Sequence, residues 1–364
     1  MITALLVIAI LVVLIVAHEF GHFIAAKIFG VRVEEFGVGY PPRAFRFGKI
    51  GDTEYTLNWI PFGGFVRLFG DEGENQHGRG SLLDSPRWKQ AVILVAGVTM
   101  NALMAWMLFA IALHLGVPQA VDNALPGEHA RLLITDIAAG SPAEAAGIKP
   151  GDEITGISAT KGKSAIETLT PEAVVAYVRL HAGTALDISY VHAGIAKEAV
   201  VTPAQGVLVN EAGQPALGVA LALVVTRPEG WGEAIPSAFQ QTLGAFKSVG
   251  GDLWHLLSTA LHGALNLAGV VGPVGIVSYV GEASQSGFGS VLLLAALISV
   301  NLALINLIPV PALDGGRLLV TIIEGILRRS APRLLLQVIN AVGVTLIIVL
   351  MVVVTYHDIA RLFV

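Results

Sequence analysis

Four stretches of the chain are apolar with almost no interruption, each for about the 20 residues that a helix needs to cross roughly 30 Å of hydrocarbon. Ile2–Ala17 is broken only by Thr3 and runs on through LIVAHEFGHFI to about Ile28; Ala91–Val117, Val291–Val310 and Leu334–Thr355 are the others. Each predicts one spanning helix. The first lacks the basic start and small-residue cleavage site of a signal peptide, and it is expected to stay in the chain.

Between these runs the pattern changes. Leu57–Leu68, LNWIPFGGFVRL, gathers apolar and aromatic residues around Pro-Phe-Gly-Gly and predicts a hairpin with a glycine turn. It either lies at the surface or re-enters the membrane with protein covering its backbone. From about Val121 to Thr226, short strand-like runs (RLLITDI, DEITGIS, ALDISYV, EAVVTPA) alternate with helical pieces at Pro142–Ala146 and Pro171–Leu180. Within this water-exposed part, AAGSPAEAAGIKPGDEITGI resembles a PDZ domain of the bacterial protease type. Gly147 ends a short helix begun at Ser141-Pro142, and KPGDEI turns the chain into a strand. Such domains bind extended peptides by strand addition. Residues 231–263 mix apolar positions at helical spacing with Lys247, Asp252 and His255, which predicts an interfacial amphipathic helix. Residues 264–280 are apolar but rich in Gly and Pro, a candidate for a further crossing.

Composition agrees with the pattern. Of 364 residues, 54% are hydrophobic and 13% charged, and the mean hydropathy is +0.72. Ordinary soluble domains carry about 25% charge. The net charge of -5 carries no nucleic-acid signal, and with no cysteine any metal must be held by His, Asp or Glu. Basic residues set the orientation. Arg32, Arg43, Arg46, Lys49, Arg67, Arg79, Arg87 and Lys89 precede the second span, and Arg317, Arg328, Arg329 and Arg333 lie between the third and fourth. The positive-inside rule puts both loops in the cytoplasm, and both termini with the inserted domain outside.

The chemistry sits in the first span. His18 and His22 are four residues apart and share a helix face, and Glu19 follows His18. HExxH on a helix is the zinc-protease arrangement, with two imidazole ligands and a glutamate general base. An acidic residue at the centre of a membrane helix costs about 2.5–3.5 kcal/mol, so a lipid-facing role is excluded. At about 1.5 Å per residue, His18 stands about 24 Å from Ile2, near the inner edge of the hydrocarbon where water can enter. A catalytic zinc normally has a third protein ligand. The third span ends NLALINLIPVPALDGGRLL; Pro309 and Pro311 break its helix, Gly315-Gly316 permit irregular chain afterwards, and Asp314 is the expected third ligand. For Asp314 to reach the depth of His18 the first and third spans must run the same way. One span lies between them, and an extra crossing at 264–280 would invert the third. Four spans are therefore expected.

HEFGH in the first span together with NLIPVPALDGG in the third resembles the site-2 protease family of intramembrane metalloproteases. Within it the chain is similar to the bacterial regulator-of-sigma-E type, which cleaves anti-sigma factors and other single-span proteins. The resemblance covers nearly the whole length, including IPFGG, SPRWKQAVILVAGVTMNALMA and GPVGI. It implies that His18, His22 and Asp314 bind Zn2+ and that Glu19 activates water. It also implies that Asn306, Pro309, Pro311 and the hairpin around Gly63-Gly64 handle an unwound substrate. The chain departs from the family at Ala96-Gly97-Val98, where AGP is usual; the change is expected to leave the metal site untouched. It also has room for one PDZ domain where better-known members carry two.

The resulting expectation is a multi-pass α-helical membrane protein with four transmembrane helices, a cytoplasmic-side β-hairpin and an inserted extracytoplasmic α+β PDZ domain. Its parts are the HExxH span (1–28), the hairpin loop (29–90), a second span (91–117), the PDZ domain (118–228), an interfacial segment (229–289), the LDGG span (290–316), a loop (317–333), a fourth span (334–356) and a tail (357–364). In a bacterial inner membrane its partners would be the lipid bilayer, single-span substrates, and an extended peptide or ectodomain remnant at the PDZ domain. The rival from another class is a membrane-anchored PDZ adaptor with a structural or inactive metal site, although no ligand is missing. A zinc protease acting on loops would explain HExxH but not the LDGG span. Asn101 reads as a packing hydrogen-bonder. Glu324, Asn340, His357 and Asp358 read as caps or interfacial groups around the last span, and His114, His255 and His262 as outer-side surface residues.

Overall fold

The computed structural model describes residues 2–70, 77–125, 127–159, 165–166, 168–192, 194–205, 214–262, 271–329 and 331–361. In chain order the elements are α1 (Ile2–Ile28), β1 (Val33–Ile50), β2 (Thr53–Leu68), α2 (Arg87–Leu115), β3 (Val117–Val121), β4 (Ala130–Ile137), α3 (Pro142–Ala145), β5 (Glu153–Ala159) and α4 (Pro171–Leu180). They continue with β6 (Leu186–His192), β7 (Ile195–Val201), β8 (Val219–Arg227), α5 (Trp231–Leu261), α6 (Pro273–Gln285), α7 (Phe288–Leu307), α8 (Asp314–Leu327) and α9 (Arg333–Arg361). Two units result, one of residues 1–114 and 230–364, the other of residues 115–229.

In the first unit α1, α2, α7 and α9 are the four described helices long and apolar enough to cross a membrane. Burial on α1 follows one stripe, Leu14, Ala17, His18, Gly21, His22, Ala25 and Ala26, at the three- and four-residue spacing of a helix face. The buried stripe of α2 is Ile93, Leu94, Gly97, Asn101, Ala105 and Phe109. A Cβ on Gly21 would overlap the carbonyl of Ala96, so the two backbones meet in close packing. Beneath them Ala26, Val31, Val33, Leu68, Leu82 and Ile93 form an apolar cluster that ties the end of α1 to the sheet and to the start of α2.

That sheet differs from the expected hairpin. The turn lies at Gly51-Asp52, and Gly63-Gly64 fall inside β2. The register places Glu35–Val38 between two stretches of β2, Gly64–Arg67 on one side and Glu54–Leu57 on the other. The two arms of LNWIPFGGFVRL are thus separated by β1 and do not pair with each other. Residues 64–68 form an outer edge next to α1.

The third span also ends differently from expectation. After α7 the N–H of Ile308 returns to Leu304 and Ile305, Pro309 and Pro311 supply no N–H, and Ala312 has φ 74°. The chain then does not stay irregular: it starts α8 at Asp314, inside the segment read as span and loop. Two glycines are poor helix formers, but Cβ atoms on Gly315 and Gly316 would overlap the carbonyls of Ile308 and Val310. Their absence lets the unwound segment fold back onto the new helix. Glu324 on α8 is buried, pairs with Arg87 at 3.0 Å and accepts the N–H of Ala331 at 2.8 Å.

Of the Gly-Pro-rich stretch 264–280, residues 264–270 lie outside the described residues, as do 362–364 of the tail; Pro273–Gln285 is α6. Asp358 of α9 is buried and accepts the N–H groups of Gly272 and Gly275 at 3.2 and 2.9 Å, which caps α6. On α5, Ala234, Ala238 and Thr242 form the buried stripe. His114 stacks on Trp231 with ring centroids 4.0 Å apart.

The second unit is an antiparallel sheet in the order β3-β8-β4-β5-β6-β7, with α3 and α4 supplying the helices. Its core gathers Leu132, Ile134, Ile154, Ile157, Val174, Leu186 and Ile188. Local sequence sets both helices. Ser141 and Thr170 accept the N–H groups of Glu144 and Ala173 as N-caps, and each is followed by proline at the first helical position.

Candidate metal centre

Two helices bring three donors to one point. His18 and His22 come from the last third of α1 and Asp314 from the first position of α8, and one ligand atom from each lies within 4.8 Å of the others. The Nε2 of His18 is 2.9 Å from Asp314 Oδ2; the Nε2 of His22 is 3.2 Å from that oxygen and 3.2 Å from His18 Nε2. Both imidazoles are buried and Asp314 is largely so. Helix α2 supplies the wall. The Nδ1 of His22 lies 2.8 Å from the carbonyl of Ile93. A carbonyl only accepts, so Nδ1 carries the proton and the Nε2 lone pair faces the other two donors. Gly97 leaves room for both rings: a Cβ there would overlap His22 Nε2 and stand 2.7 Å from His18 Cε1.

Glu19 lies on the sheet side. Val66 N–H donates to its carboxylate, and a Cβ on Gly64 would stand 3.4 Å from its Cγ. A cavity of about 740 Å³ opens from here and is lined by Glu19, His22, Asp314, Gly64, Tyr40 and Ala312 together with Glu35, Arg43 and Arg67. Glu35 is buried and pairs with Arg43 at 3.0 Å and with Arg67, and it accepts the hydroxyl of Thr56 at 2.7 Å. This wall is charged yet satisfied, which suits a wet cavity. Burial, and then the Glu19 carboxylate, push the Tyr40 phenol above its usual range, so it stays a neutral donor.

The expected substrate-handling residues are divided. Gly64 lines the cavity; Gly63, with φ 114°, packs on Tyr40 instead. Asn306 stands in the last turn of α7, and Pro309 and Pro311 in the unwound stretch before Asp314. Pro311 lies against α9, where a Cβ on Gly343 would overlap its carbonyl. Two residues of α2 reach the site without having been singled out for it. Gly97 abuts both rings, so the Ala96-Gly97-Val98 stretch is a direct neighbour of the metal site. Asn101, fully buried, places its amide nitrogen 3.2 Å from His18 Nδ1. Their four-residue spacing on one helix face was the available signal.

The donor set fits zinc. Two imidazoles and one carboxylate make a three-ligand site of the catalytic kind, with a fourth position left for substrate or water. The unprotonated Nε2 of His22 and the Oδ2 of Asp314, 3.2 Å apart, are two acceptors facing each other, an arrangement that a cation relieves. Membrane-length helices around such a centre, with a glutamate at the mouth, define an integral membrane zinc metalloprotease.

The comparisons with known proteins agree. The pattern of peptidase family M50 matches residues 6–350, and the chain belongs to that family, the site-2 proteases. A relative in Clostridium perfringens, named as a zinc metalloprotease, is 33% identical over 95% of this chain and 95% of its own. The zinc metalloprotease RasP of Shouchella clausii is 28% identical over 99% of each chain, and that of Oceanobacillus iheyensis 29% over 96% and 97%.

Proposed function

We propose that this zinc metalloprotease hydrolyses a peptide bond within or near the transmembrane segment of single-span membrane proteins, of the anti-sigma-factor or signal-peptide-remnant kind. His18, His22 and Asp314 hold the metal and Glu19 is the general base. The observation that carries the reading is the convergence of the three donors where α1 ends and α8 begins, beside a charged cavity.

Zinc, when bound, supplies a Lewis acid for the scissile carbonyl and lowers the pKa of water toward about 7. Glu19 takes the proton of the attacking water and delivers it to the leaving amine. A substrate helix holds its peptide groups in internal hydrogen bonds and must unwind before attack. The outer edge at residues 64–68 carries no other strand among the described residues, so an extended substrate can pair there beside Glu19. Pro309 and Pro311 interrupt the helix before Asp314, and Asn306 adds an amide at the end of α7. Through these two surfaces, Gly63-Gly64 and Asn306–Pro311 hold the unwound segment.

The basic loops favour a cytoplasmic active-site side and an extracytoplasmic inserted unit, in a bacterial inner membrane. The unit of residues 115–229 acts as a PDZ domain that takes an extended peptide or ectodomain remnant; its antiparallel sheet and the capped helices α3 and α4 support this.

The test uses protein in liposomes with a tagged single-span substrate, wild type beside Glu19→Gln, with zinc content and product masses read from the same samples. Cleavage inside the span by wild type alone, with zinc in both, is the expected result. Cleavage confined to loops would overturn the intramembrane reading, and no zinc in either protein would overturn the ligand set.

A further inference from the structure

Asn101 is fully buried in the middle of α2, held from both ends. Its backbone carbonyl accepts the hydroxyl of Ser299, from α7, at 2.8 Å. Its side chain meets the His18 ring on the far side from Asp314, at Nδ1, while the Nε2 of the same ring faces the other two donors. One residue thus touches α1, α2 and the helix that leads to Asp314.

The two histidines are supported differently. Ile93 offers His22 a carbonyl, which has one polarity, so the tautomer of His22 is fixed with Nε2 unprotonated. Asn101 offers His18 an amide, whose two ends are alike in shape and opposite in polarity. With the NH2 toward His18, Nδ1 is the acceptor, the proton sits on Nε2, and that nitrogen cannot bind a metal. The side-chain oxygen is then buried with no hydrogen-bond partner. Among the described residues no group meets that end of the amide in either orientation, so the metal-ligand role of Nε2 decides between them. Turned about, the oxygen accepts Nδ1–H of His18 and the Nε2 lone pair points at Asp314 and His22.

We propose that Asn101 is the positioning residue of the metal centre. Its side-chain oxygen accepts the Nδ1–H of His18 and so holds the tautomer in which Nε2 is a ligand. This rests on the reading of His18 as a zinc ligand. It gives the two imidazoles equivalent support, a carbonyl-type oxygen behind each, in the manner of outer partners that orient metal-bound histidines.

The test compares full-length wild type, Asn101→Leu, Asn101→Asp and His18→Ala in detergent. Zinc affinity is read by chelator competition, and coordination by the visible spectrum of the Co2+-loaded protein. Leucine removes the acceptor at similar volume and is expected to weaken zinc binding by about 10–100-fold. Aspartate is acceptor-only, cannot donate to Nδ1, and is expected to keep most of the affinity and the parental spectrum. Asn101→Leu binding zinc as tightly as wild type overturns the proposal. So does Asn101→Asp losing as much as leucine, the outcome expected if the amide donated to His18. Should Asn101→Leu fail to fold, the aspartate variant alone decides between these. His18→Ala keeps the two questions apart: undiminished zinc there defeats the ligand reading, whereas zinc lost there but kept in Asn101→Leu defeats only the role of Asn101.

Discussion

Helix α1 carries His18, Glu19 and His22 in its last third, and α9 carries His357 and Asp358 in its last turn. By composition the two ends look alike: an apolar helix closing on a histidine next to an acid. Their surroundings differ. On α9 the carboxylate of Asp358 receives two backbone N–H groups at the start of α6, and Nε2 of His357 is buried without a partner. On α1 the two imidazoles face each other and an acid from another helix, and the Nε2 lone pair of His22 meets a carboxylate. At the first end the carboxylate is a cap whose acceptors are met within the protein; at the second the donor set fits a cation. Ionisable groups at a membrane helix end thus do not by themselves mark a functional site. The mark is the convergence of several ligand-type atoms from separate helices on one point.

The contrast can be broken at either end. The largest effect is expected at Asp314→Asn, which removes a negative ligand from the α1 cluster. Zinc affinity and cleavage should fall by more than the roughly 100-fold upper end for supporting residues, with the circular dichroism spectrum unchanged. Wild-type zinc content and activity would take Asp314 out of the ligand set. Next comes Gly97→Ala. Its methyl overlaps the His22 ring, so zinc binding should drop by about 10–100-fold although no polar group has changed; equilibrium dialysis with zinc reads this directly. At the α9 end, Asp358→Ala should lower stability by about 1 kcal/mol, as the loss of an N-cap does, and leave zinc affinity at the wild-type value. A thermal shift with unaltered metal content is the signature, and loss of zinc would collapse the distinction between the two ends. The smallest change is expected for His357→Leu. It replaces an unpartnered polar atom by apolar bulk, so stability should hold within about 1 kcal/mol or rise, with cleavage unaffected.

Much of this arrangement was legible in the sequence because the membrane makes polarity expensive. His18, Glu19, His22 and Asp314 stood out because each interrupts or ends an apolar run. The helix start at Ser141 was readable for a different reason: its bond is local, closed within three residues. What escaped notice depends on helix rotation and on long-range pairing. Gly97 bears no chemistry of its own, and its value appears only when α2 is turned toward the rings. The Pro-Phe-Gly-Gly stretch has the composition of a turn, yet Glu35–Val38, some twenty residues earlier, pairs between its flanking arms. Helix α8 has two glycines in its first turn because the carbonyls of Ile308 and Val310 occupy the places of side chains, a tertiary demand that overrides propensity.

The crowding at Gly97 also bears on how such a gene can drift. Every single-base change of a glycine codon that alters the residue adds at least a β-carbon, and here the first added carbon overlaps a ring nitrogen of His22. Selection on this position therefore has no neighbouring amino acid to try. A glutamate that moves protons can be approximated by an aspartate one base away; an empty space has no near substitute. The codon under tightest constraint next to the reaction centre can be the one that encodes no functional group.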